Sequence, residues 1–164
     1  MSIDPMRYRQ VLGHFPTGVT VVTGMLDGEP VGFTIGSFTS VSLDPPLVGF
    51  LPMVDSDRWH TIRASGSFCV NVLSHAHDDI CWRFAKSSIE QPFDGIAWHP
   101  SAITGSPVLD EAIAWMDCTI TEVVDAGDHH FVMGRVEALE HVDADADPLP
   151  LLFYKGKLGR FLPL

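Results

Sequence analysis

The sequence predicts a mainly β protein in which a small barrel carries a few short flanking helices. Short runs rich in Val, Thr, Ile and Phe recur along the 164 residues, and turn residues such as Asp27-Gly28 separate them. These runs do not alternate with helical patterns, as they would in a doubly wound parallel sheet. The sequence also has no G-x-G-x-x-G or P-loop motif, so nothing in it supports a Rossmann fold or a nucleotide triphosphatase.

Helix signals mark three places in the first half of the chain. Asp4 can cap the first helix, and Pro5 suits the first helical position. Ser56, flanked by two aspartates, can cap the second helix. We expect the three helices over Asp4–His14, Asp55–Arg63 and His77–Lys86.

The predicted strands are rich in β-branched residues and are bounded by glycine, proline and acidic residues. They cover Thr17–Met25, a run that begins near Val31, Leu47–Leu51, Phe68–Leu73, Trp115–Val124, Phe131–His141, Leu151–Tyr154 and Leu158–Leu162. The last two runs predict a closing hairpin. Residues 87–108 contain three prolines and two glycines, so we expect an irregular surface excursion there.

The composition excludes several classes of protein. The formal net charge is −11 with only ten Lys and Arg residues, which argues against nucleic acid because phosphate binding depends on basic side chains. No apolar run reaches the roughly 18 residues of a membrane span, and no basic-then-apolar leader follows Met1. We therefore expect a cytoplasmic protein with no membrane partner that folds as one domain over residues 1–164.

The cysteines indicate reduced core thiols rather than a disulfide framework. Cys69, Cys81 and Cys118 are odd in number and form no C-x-x-C motif.

The most unusual stretch is Gly32–Pro46, where hydroxyl side chains interrupt a strand-like run. The hydroxyls belong to Thr34, Ser37, Thr39, Ser40 and Ser42. Buried hydroxyls need hydrogen-bond partners, so a concave surface that they line favours a polar ligand. Gly36 predicts a bulge or a close approach of that ligand to the backbone. The pattern suits a phosphate or a flat heteroaromatic ring, and an exposed Ser- and Thr-rich edge strand is the alternative.

This stretch resembles the signature of the flavin reductase family of FMN-binding split barrels. The resemblance continues at Phe15–Thr23, Ser65–Leu73, Trp115–Cys118, Gly127–His129 and Leu151–Tyr154. These blocks follow the family order and cover nearly the whole chain, which makes the resemblance specific.

The resemblance implies a split β-barrel that assembles as a homodimer with flavin near the interface. It implies that NADH, or less readily NADPH, reduces bound FMN or FAD by hydride transfer, and that reduced flavin passes to a separate oxygenase component. A non-catalytic flavin-binding or electron-carrying module stays open, because one fold can serve several functions. A relative of pyridoxamine-phosphate oxidase or a heme-binding relative is a third alternative.

The resemblance also implies which residues bind the flavin. The hydroxyl run supplies Thr34, Ile35, Gly36, Ser37, Ser40, Val41 and Ser42, and later blocks supply Ser56, Arg58, Asn71, Val72, Leu73, Phe84 and Ala85. Ser56 and Arg58 begin a predicted helix, a position that favours anion binding. Asn71 is polar within an otherwise apolar strand, so either a ligand or the protein backbone must satisfy its amide.

The block Gly127-Asp128-His129-His130 places an acid and two imidazoles in a glycine-opened turn. The resemblance implies that Asp128 and His129 lie beside the flavin and that His129 is the catalytic residue, which holds the nicotinamide. An ordinary hairpin turn with solvated histidines is the alternative. Hydride transfer depends on orientation more than on proton transfer, so His129 is expected to act by positioning. The role of His130 is left open.

Two departures from the family pattern bear on the flavin. Gly36 stands where many members of the family have Asn or Ala, which removes a side-chain contact. Asp55 places an acid near the expected phosphate, so phosphate binding should be weaker than usual.

The sequence predicts no metal site. His75-x-His77-x-Asp79 fits no closed zinc set. Asp143-x-Asp145-x-Asp147 opens like a calcium loop, but Pro148 stands where that loop needs a glycine.

Overall fold

The computed structural model describes residues 3–142 and 148–164, which form three helices and twelve strands. The helices are α1 (Pro5–Leu12), α2 (Asp57–Ser65) and α3 (Asp78–Ala85). The strands are β1 (Thr17–Gly18), β2 (Thr20–Leu26), β3 (Glu29–Ile35), β4 (Thr39–Leu43), β5 (Pro46–Phe50), β6 (Ser67–Val72), β7 (Trp98–Pro100), β8 (Pro107–Leu109), β9 (Ala114–Ala126), β10 (His129–His141), β11 (Leu151–Tyr154) and β12 (Lys157–Arg160). The prediction of a mainly β protein with a few short helices is confirmed.

The predicted caps place the first two helices. The Asp4 carboxylate accepts hydrogen bonds from the backbone N–H groups of Met6 and Arg7, at 3.3 and 3.1 Å. The Ser56 hydroxyl accepts from the backbone N–H of Trp59 at 3.3 Å. Gly66, with a φ of 77°, ends α2 in the left-handed conformation that glycine tolerates.

Seven strands form one curled sheet in the order β3-β2-β6-β9-β10-β5-β4. Its two edge strands, β3 and β4, are joined by only residues 36–38. Laid flat, seven strands would span about 29 Å, whereas this connection reaches at most about 14 Å. The sheet must therefore curl until its edges face each other. The edges do not pair, so the predicted split barrel is confirmed, with the split beside residues 36–38.

Three strand predictions differ from the structure. The hydroxyl run is divided between β3 and β4, because the chain crosses the split at residues 36–38. The predicted strand Thr17–Met25 is broken at Val19, where β1 leaves the barrel to pair with β11. Residues 87–108 are not wholly irregular, because β7 pairs with β8. These short pairings depend on long-range contacts that no local pattern reports.

The core lies in two clusters of buried side chains. Inside the barrel, Phe50 packs edge-to-face against Trp59 and Phe68, with ring centroids 5.8 and 5.0 Å apart. The second cluster packs α3 against the sheet through Ile80 and Phe84. Burial of apolar surface on both faces of the sheet stabilises the barrel.

The cysteine prediction holds: Cys69, Cys81 and Cys118 are free and buried. Burial raises the pKa of Cys81 to about 11 and raises the pKa values of the other two thiols further. The thiols therefore stay neutral at physiological pH.

Candidate active site

A cavity of about 890 Å³ opens beside the split of the barrel. It is lined by residues 33–37 at the end of β3, 51–53 and 55–58 around the start of α2, 84, 85 and 87 at the end of α3, and by His129. Its volume falls within the range of small-molecule and cofactor sites.

The split side of the cavity is held by Ser37. Its hydroxyl accepts from the backbone N–H of Leu51 at 3.0 Å and donates to the Leu51 carbonyl oxygen at 3.3 Å. Next to it, a Cβ on Gly36 would come within 2.9 Å of the Thr17 hydroxyl oxygen. Thr17 thus occupies the space that a side chain on Gly36 would need. An Asn or Ala at position 36 would require Thr17 to move.

The α2 side of the cavity carries a positive charge that is held by carbonyl oxygens. The Arg58 guanidinium donates to the carbonyls of Gly32, Phe84 and Lys86 at 3.3, 2.9 and 3.2 Å, and also to that of Ile89. Desolvation by burial lowers the pKa of Arg58. Among the residues that the structure describes, no carboxylate forms a salt bridge with Arg58, so its charge is not neutralised, although carbonyl oxygens occupy its terminal N–H groups.

Acidic side chains share this wall. Asp55 and Asp57 both line the cavity beside Ser56 and Arg58. The departure noted at Asp55 in the sequence therefore lies in the cavity wall. The two carboxylates oppose anion binding, whereas the start of α2 and Arg58 favour it.

The β9–β10 hairpin places His129 in the cavity wall. Gly127, with a φ of 72°, and Asp128 form its tight turn. The hairpin is fixed by backbone hydrogen bonds from His130 to Pro52 and from Val54 to Asp128, at 3.0 and 3.1 Å. His129 therefore stands at a defined position relative to the residues that lead into α2.

Asp128 orients the His129 ring. Its carboxylate lies 2.8 Å from Nδ1 of His129, and this hydrogen bond lowers the pKa of Asp128. Within residues 3–142 and 148–164, the other ring nitrogen, Nε2, has no protein partner. The Asp128 side chain itself is exposed and does not line the cavity.

The structure brings together most of the predicted site residues. Those that line the cavity are Thr34, Ile35, Gly36, Ser37, Ser56, Arg58, Phe84, Ala85 and His129. The Thr34 hydroxyl is already engaged, because it donates to the carbonyl oxygen of Cys81 at 2.7 Å.

Ser40, Val41 and Ser42 lie outside the cavity, contrary to expectation. They belong to β4, which pairs with β5 beyond the split and has an irregular register between Ser40 and Ser42. Ser40 and Val41 are exposed. The alternating pattern of the sequence could not show that the chain changes sheet edges within the hydroxyl run.

Asn71 is engaged by the protein, as the structural alternative predicted. It is completely buried, and its Oδ1 accepts from the backbone N–H of Leu109 at 2.8 Å. Its amide group donates toward the Val21 carbonyl and the Thr23 hydroxyl, at 3.2 and 3.1 Å. These bonds use the amide within the core, which favours the structural role over a flavin contact.

Val72 and Leu73 also lie away from the cavity. Val72 pairs with strands β2 and β9, and Leu73 is buried in the cluster around α3. They were assigned to the site through the family resemblance of the block Ser65–Leu73, not through a polar signal of their own.

Sequence reasoning identified Asp55 and Ser56 in the connection between β5 and α2 but missed other lining residues there and nearby. Leu51, Pro52, Met53 and Asp57 line the cavity, as does Ser87 after α3. Leu51, Pro52 and Met53 are apolar and carry no polar signal. The one available clue was their place between a buried strand and a helix start.

The described residues contain no group of three or more His, Cys, Asp or Glu side chains that could hold a metal ion. His77 instead lies 3.1 Å from the Ser74 hydroxyl and 3.2 Å from Glu111. The acidic run Asp143–Asp147 lies outside the described residues. None of the three helices is long and apolar enough to cross a membrane, in the part of the chain that the structure covers.

The model of one protein family, described as a flavin reductase like domain, matches residues 12–161. The chain belongs to the flavin reductase family. This result confirms the resemblance carried by the hydroxyl run and by the Gly-Asp-His block.

Individual members of the family are similar over almost the whole chain. The sequence is 49% identical over 155 residues to the reductase subunit HsaB of a flavin-dependent monooxygenase from Mycobacterium tuberculosis, covering 94% of this chain and 81% of that protein. The structure matches nitrilotriacetate monooxygenase component B from Mycobacterium thermoresistibile with a TM-score of 0.92 and 45% identity, covering 96% and 87% of the two chains. It also matches the NADH:FAD oxidoreductase SgcE6 from Streptomyces globisporus, in complex with NAD and FAD fragments, with a TM-score of 0.90, 36% identity and coverage of 99% and 98%.

Proposed function

We propose that this protein is an NAD(P)H-dependent flavin reductase that reduces FMN or FAD and supplies the reduced flavin to a separate monooxygenase. The observation that carries the proposal is the cavity beside the split. It joins an anion-binding helix start, with Ser56 and Arg58, to an oriented imidazole, His129.

The cavity fits a flavin nucleotide in size and in chemistry. About 890 Å³ accommodates a tricyclic ring with its ribityl phosphate. The first turn of α2 and the Arg58 guanidinium favour a phosphate. The backbone of residues 35–37 lines the cavity where only a small residue fits, at Gly36, and backbone groups suit the amide-like rim of an isoalloxazine ring.

When bound, the flavin accepts a hydride from the reduced nicotinamide. The protein contributes orientation and the exclusion of water. The start of α2 and the positive charge of Arg58 attract the anionic end, while the Ser37 hydroxyl holds the crossing at residues 36–38 against Leu51. Asp128 fixes the His129 ring, and His129 holds the nicotinamide against the flavin and stabilises negative charge that develops there.

A second, smaller cavity adjoins this site and suits the adenylate end of a dinucleotide. It has a volume of about 290 Å³, and Tyr8, Arg9, Phe15, Phe153 and Lys155 are among its lining residues. Thr17 lines it as well, and its hydroxyl lies 2.9 Å from where a Cβ on Gly36 of the larger cavity would stand. Arg9 and Lys155 can neutralise a diphosphate, and the aromatic rings can stack on adenine.

A homodimer stays part of the proposal. Phe15 and Leu43 are 75% and 94% exposed, and α1 buries none of its residues, so apolar surface is available for a second copy. Light scattering of the holoprotein during size-exclusion chromatography tests this point, and a monomer at micromolar concentration would contradict it. We also propose that residues 1–164 act as one domain in the cytoplasm, where NAD(P)H is supplied.

The test of the function is the oxidation of NADH and NADPH in the presence of FMN, FAD or riboflavin. The proposal predicts flavin-dependent consumption of at least one nicotinamide nucleotide, with loss of flavin absorbance under anaerobic conditions. Flavin binding without such consumption would favour an electron-carrying module instead. The absorption spectrum of the purified protein distinguishes either result from a heme protein.

A further inference from the structure

His130 is a buried imidazole for which the proposed chemistry has no use. It is 8% exposed, and its Nδ1 lies 2.9 Å from Nε1 of Trp59. Its Nε2 lies 3.5 Å from a carboxylate oxygen of Asp125, whose side chain is 95% exposed. An indole N–H can only donate, so Nδ1 of His130 must accept. The bond therefore fixes both the ring orientation and the tautomer of His130.

This hydrogen bond joins two walls of the active-site cavity. His130 follows His129 in β10, so the two side chains point to opposite faces of the strand. Trp59 lies in the first turn of α2, directly after Arg58. Among the described residues, it is the only side-chain hydrogen bond between the β9–β10 hairpin and α2.

Trp59 provides a rigid anchor for the bond. It is completely buried and packs edge-to-face on Phe50, which packs in turn on Phe68. The backbone hydrogen bonds of residues 52–54 hold the register of the hairpin, but Met53 and Val54 are exposed. Since densely packed aromatic cores resist displacement, the bond to Trp59 ties the hairpin to a rigid part of α2, in addition to those backbone bonds.

We propose that His130 is a positioning residue that fixes His129 relative to the anion-binding start of α2 through its hydrogen bond with Trp59. This inference rests on the proposed function, because the distance between His129 and the start of α2 matters only if His129 holds the nicotinamide and the start of α2 holds the flavin phosphate. A displacement of about 1 Å in such a geometry can reduce a rate about 100-fold.

Two amide substitutions distinguish positioning from filling of space. The acceptor Oδ1 of Asn is bonded directly to Cγ, as Nδ1 of His is. The acceptor Oε1 of Gln is bonded to Cδ, one bond further out, near the position of Nε2 in His. His130→Asn can therefore accept from Trp59, and His130→Gln fills the space better but loses this acceptor position. Positioning predicts that Asn preserves function and Gln does not. A role in packing alone predicts the opposite order.

The experiment measures anaerobic flavin reduction by stopped-flow at saturating NADH, together with flavin Kd and the thermal midpoint. We expect the rate constant of hydride transfer to fall at least about tenfold in His130→Gln and to stay within about threefold of wild type in His130→Asn. Trp59→Phe should lower it as His130→Gln does, and the double variant should show no additional loss, because both changes remove one bond.

Thr104→Val is the matched control. It removes the hydroxyl that donates to the buried Asp117 carboxylate and bonds to Ser106, at a place outside both cavities. It should lower the thermal midpoint and leave the rate constant of the folded protein unchanged. Asp125→Asn should also be nearly silent, because that carboxylate is exposed.

The inference is overturned if His130→Gln and Trp59→Phe change the thermal midpoint as Thr104→Val does but keep the wild-type rate constant. A faster rate in Gln than in Asn would overturn it as well. If the wild-type protein reduces no flavin, the proposed function has failed, and this result is distinct from either outcome of the variants.

Discussion

Replacement of Asn71 by Ala tests whether its amide serves the core or a ligand. In the structure, Oδ1 accepts from the Leu109 N–H, and the amide group donates toward Val21 and Thr23. All of these groups are buried. The substitution removes these partners at once, and no water can replace them without entering the core.

The expected loss of stability follows from these contacts. Leaving the Leu109 N–H without a partner costs about 1–3 kcal/mol, and each of the two lost donated bonds contributes about 0.5–1.5 kcal/mol. The free energy of unfolding should therefore fall by about 2–6 kcal/mol. This is a large part of the roughly 5–15 kcal/mol of a typical domain.

Urea unfolding and flavin titration of the same preparations measure both consequences. Asn71→Ala should shift the unfolding midpoint strongly, while the flavin Kd of the folded protein stays within about twofold of wild type. Ser56→Ala is the matched comparison, because Ser56 lines the cavity. It should cost about 1 kcal/mol as a helix cap and raise the flavin Kd by about one to two decades if its hydroxyl meets a charged phosphate.

The reasoning is refuted if Asn71→Ala leaves the unfolding midpoint unchanged and weakens flavin binding as Ser56→Ala does. Such a result would show that the Asn71 amide contacts the flavin.

Three further predictions concern other parts of the site. His129→Ala should raise KM for NADH or slow hydride transfer with flavin affinity unchanged. Ser40→Ala, outside the cavity, should change neither the NADH kinetics nor the flavin affinity. Unaltered NADH kinetics in His129→Ala would show that His129 is only a solvated residue of an ordinary hairpin turn. Arg9→Ala and Lys155→Ala should raise KM for NADH but not for reduced nicotinamide mononucleotide, which lacks the adenylate. Equal effects on the two nucleotides would show that the smaller cavity does not bind the dinucleotide. A comparison of FAD with FMN shows whether the adenylate of FAD binds in this cavity instead. Because burial raises the pKa of Cys81 to about 11, only about one in 10⁴ of its thiols is ionised at pH 7; iodoacetamide should label it slowly in the folded protein and faster as the pH rises, and rapid labelling at pH 7 by mass spectrometry would contradict its burial.

The elements that the sequence predicted correctly have local signals. Asp4 and Ser56 cap helices where their side chains accept backbone hydrogen bonds, and the Gly127-Asp128 turn joins the two longest strands. The sequence also identified Arg58 and His129 on two walls of one cavity. Local signals predicted the helix start and the tight turn, because these depend on few residues, whereas the assignment of Arg58 and His129 to one site came from the family resemblance.

The elements that the sequence missed depend on distant partners. Nothing local shows that residues 36–38 cross from one sheet edge to the other, and this crossing separates Ser37 in the cavity from Ser40 outside it. The partners of Asn71 come from β2 and β8, up to 50 residues away in sequence. A polar residue in a buried strand indicates that a partner exists but does not identify it.

The central claim is that one cavity holds flavin and nicotinamide in a single geometry for direct hydride transfer. Anaerobic stopped-flow with NADH deuterated at C4, separately on each face of the ring, tests it most directly. The account predicts that deuterium on one face slows flavin reduction and that deuterium on the other face does not. No flavin reduction, or equal isotope effects for the two faces, would contradict it.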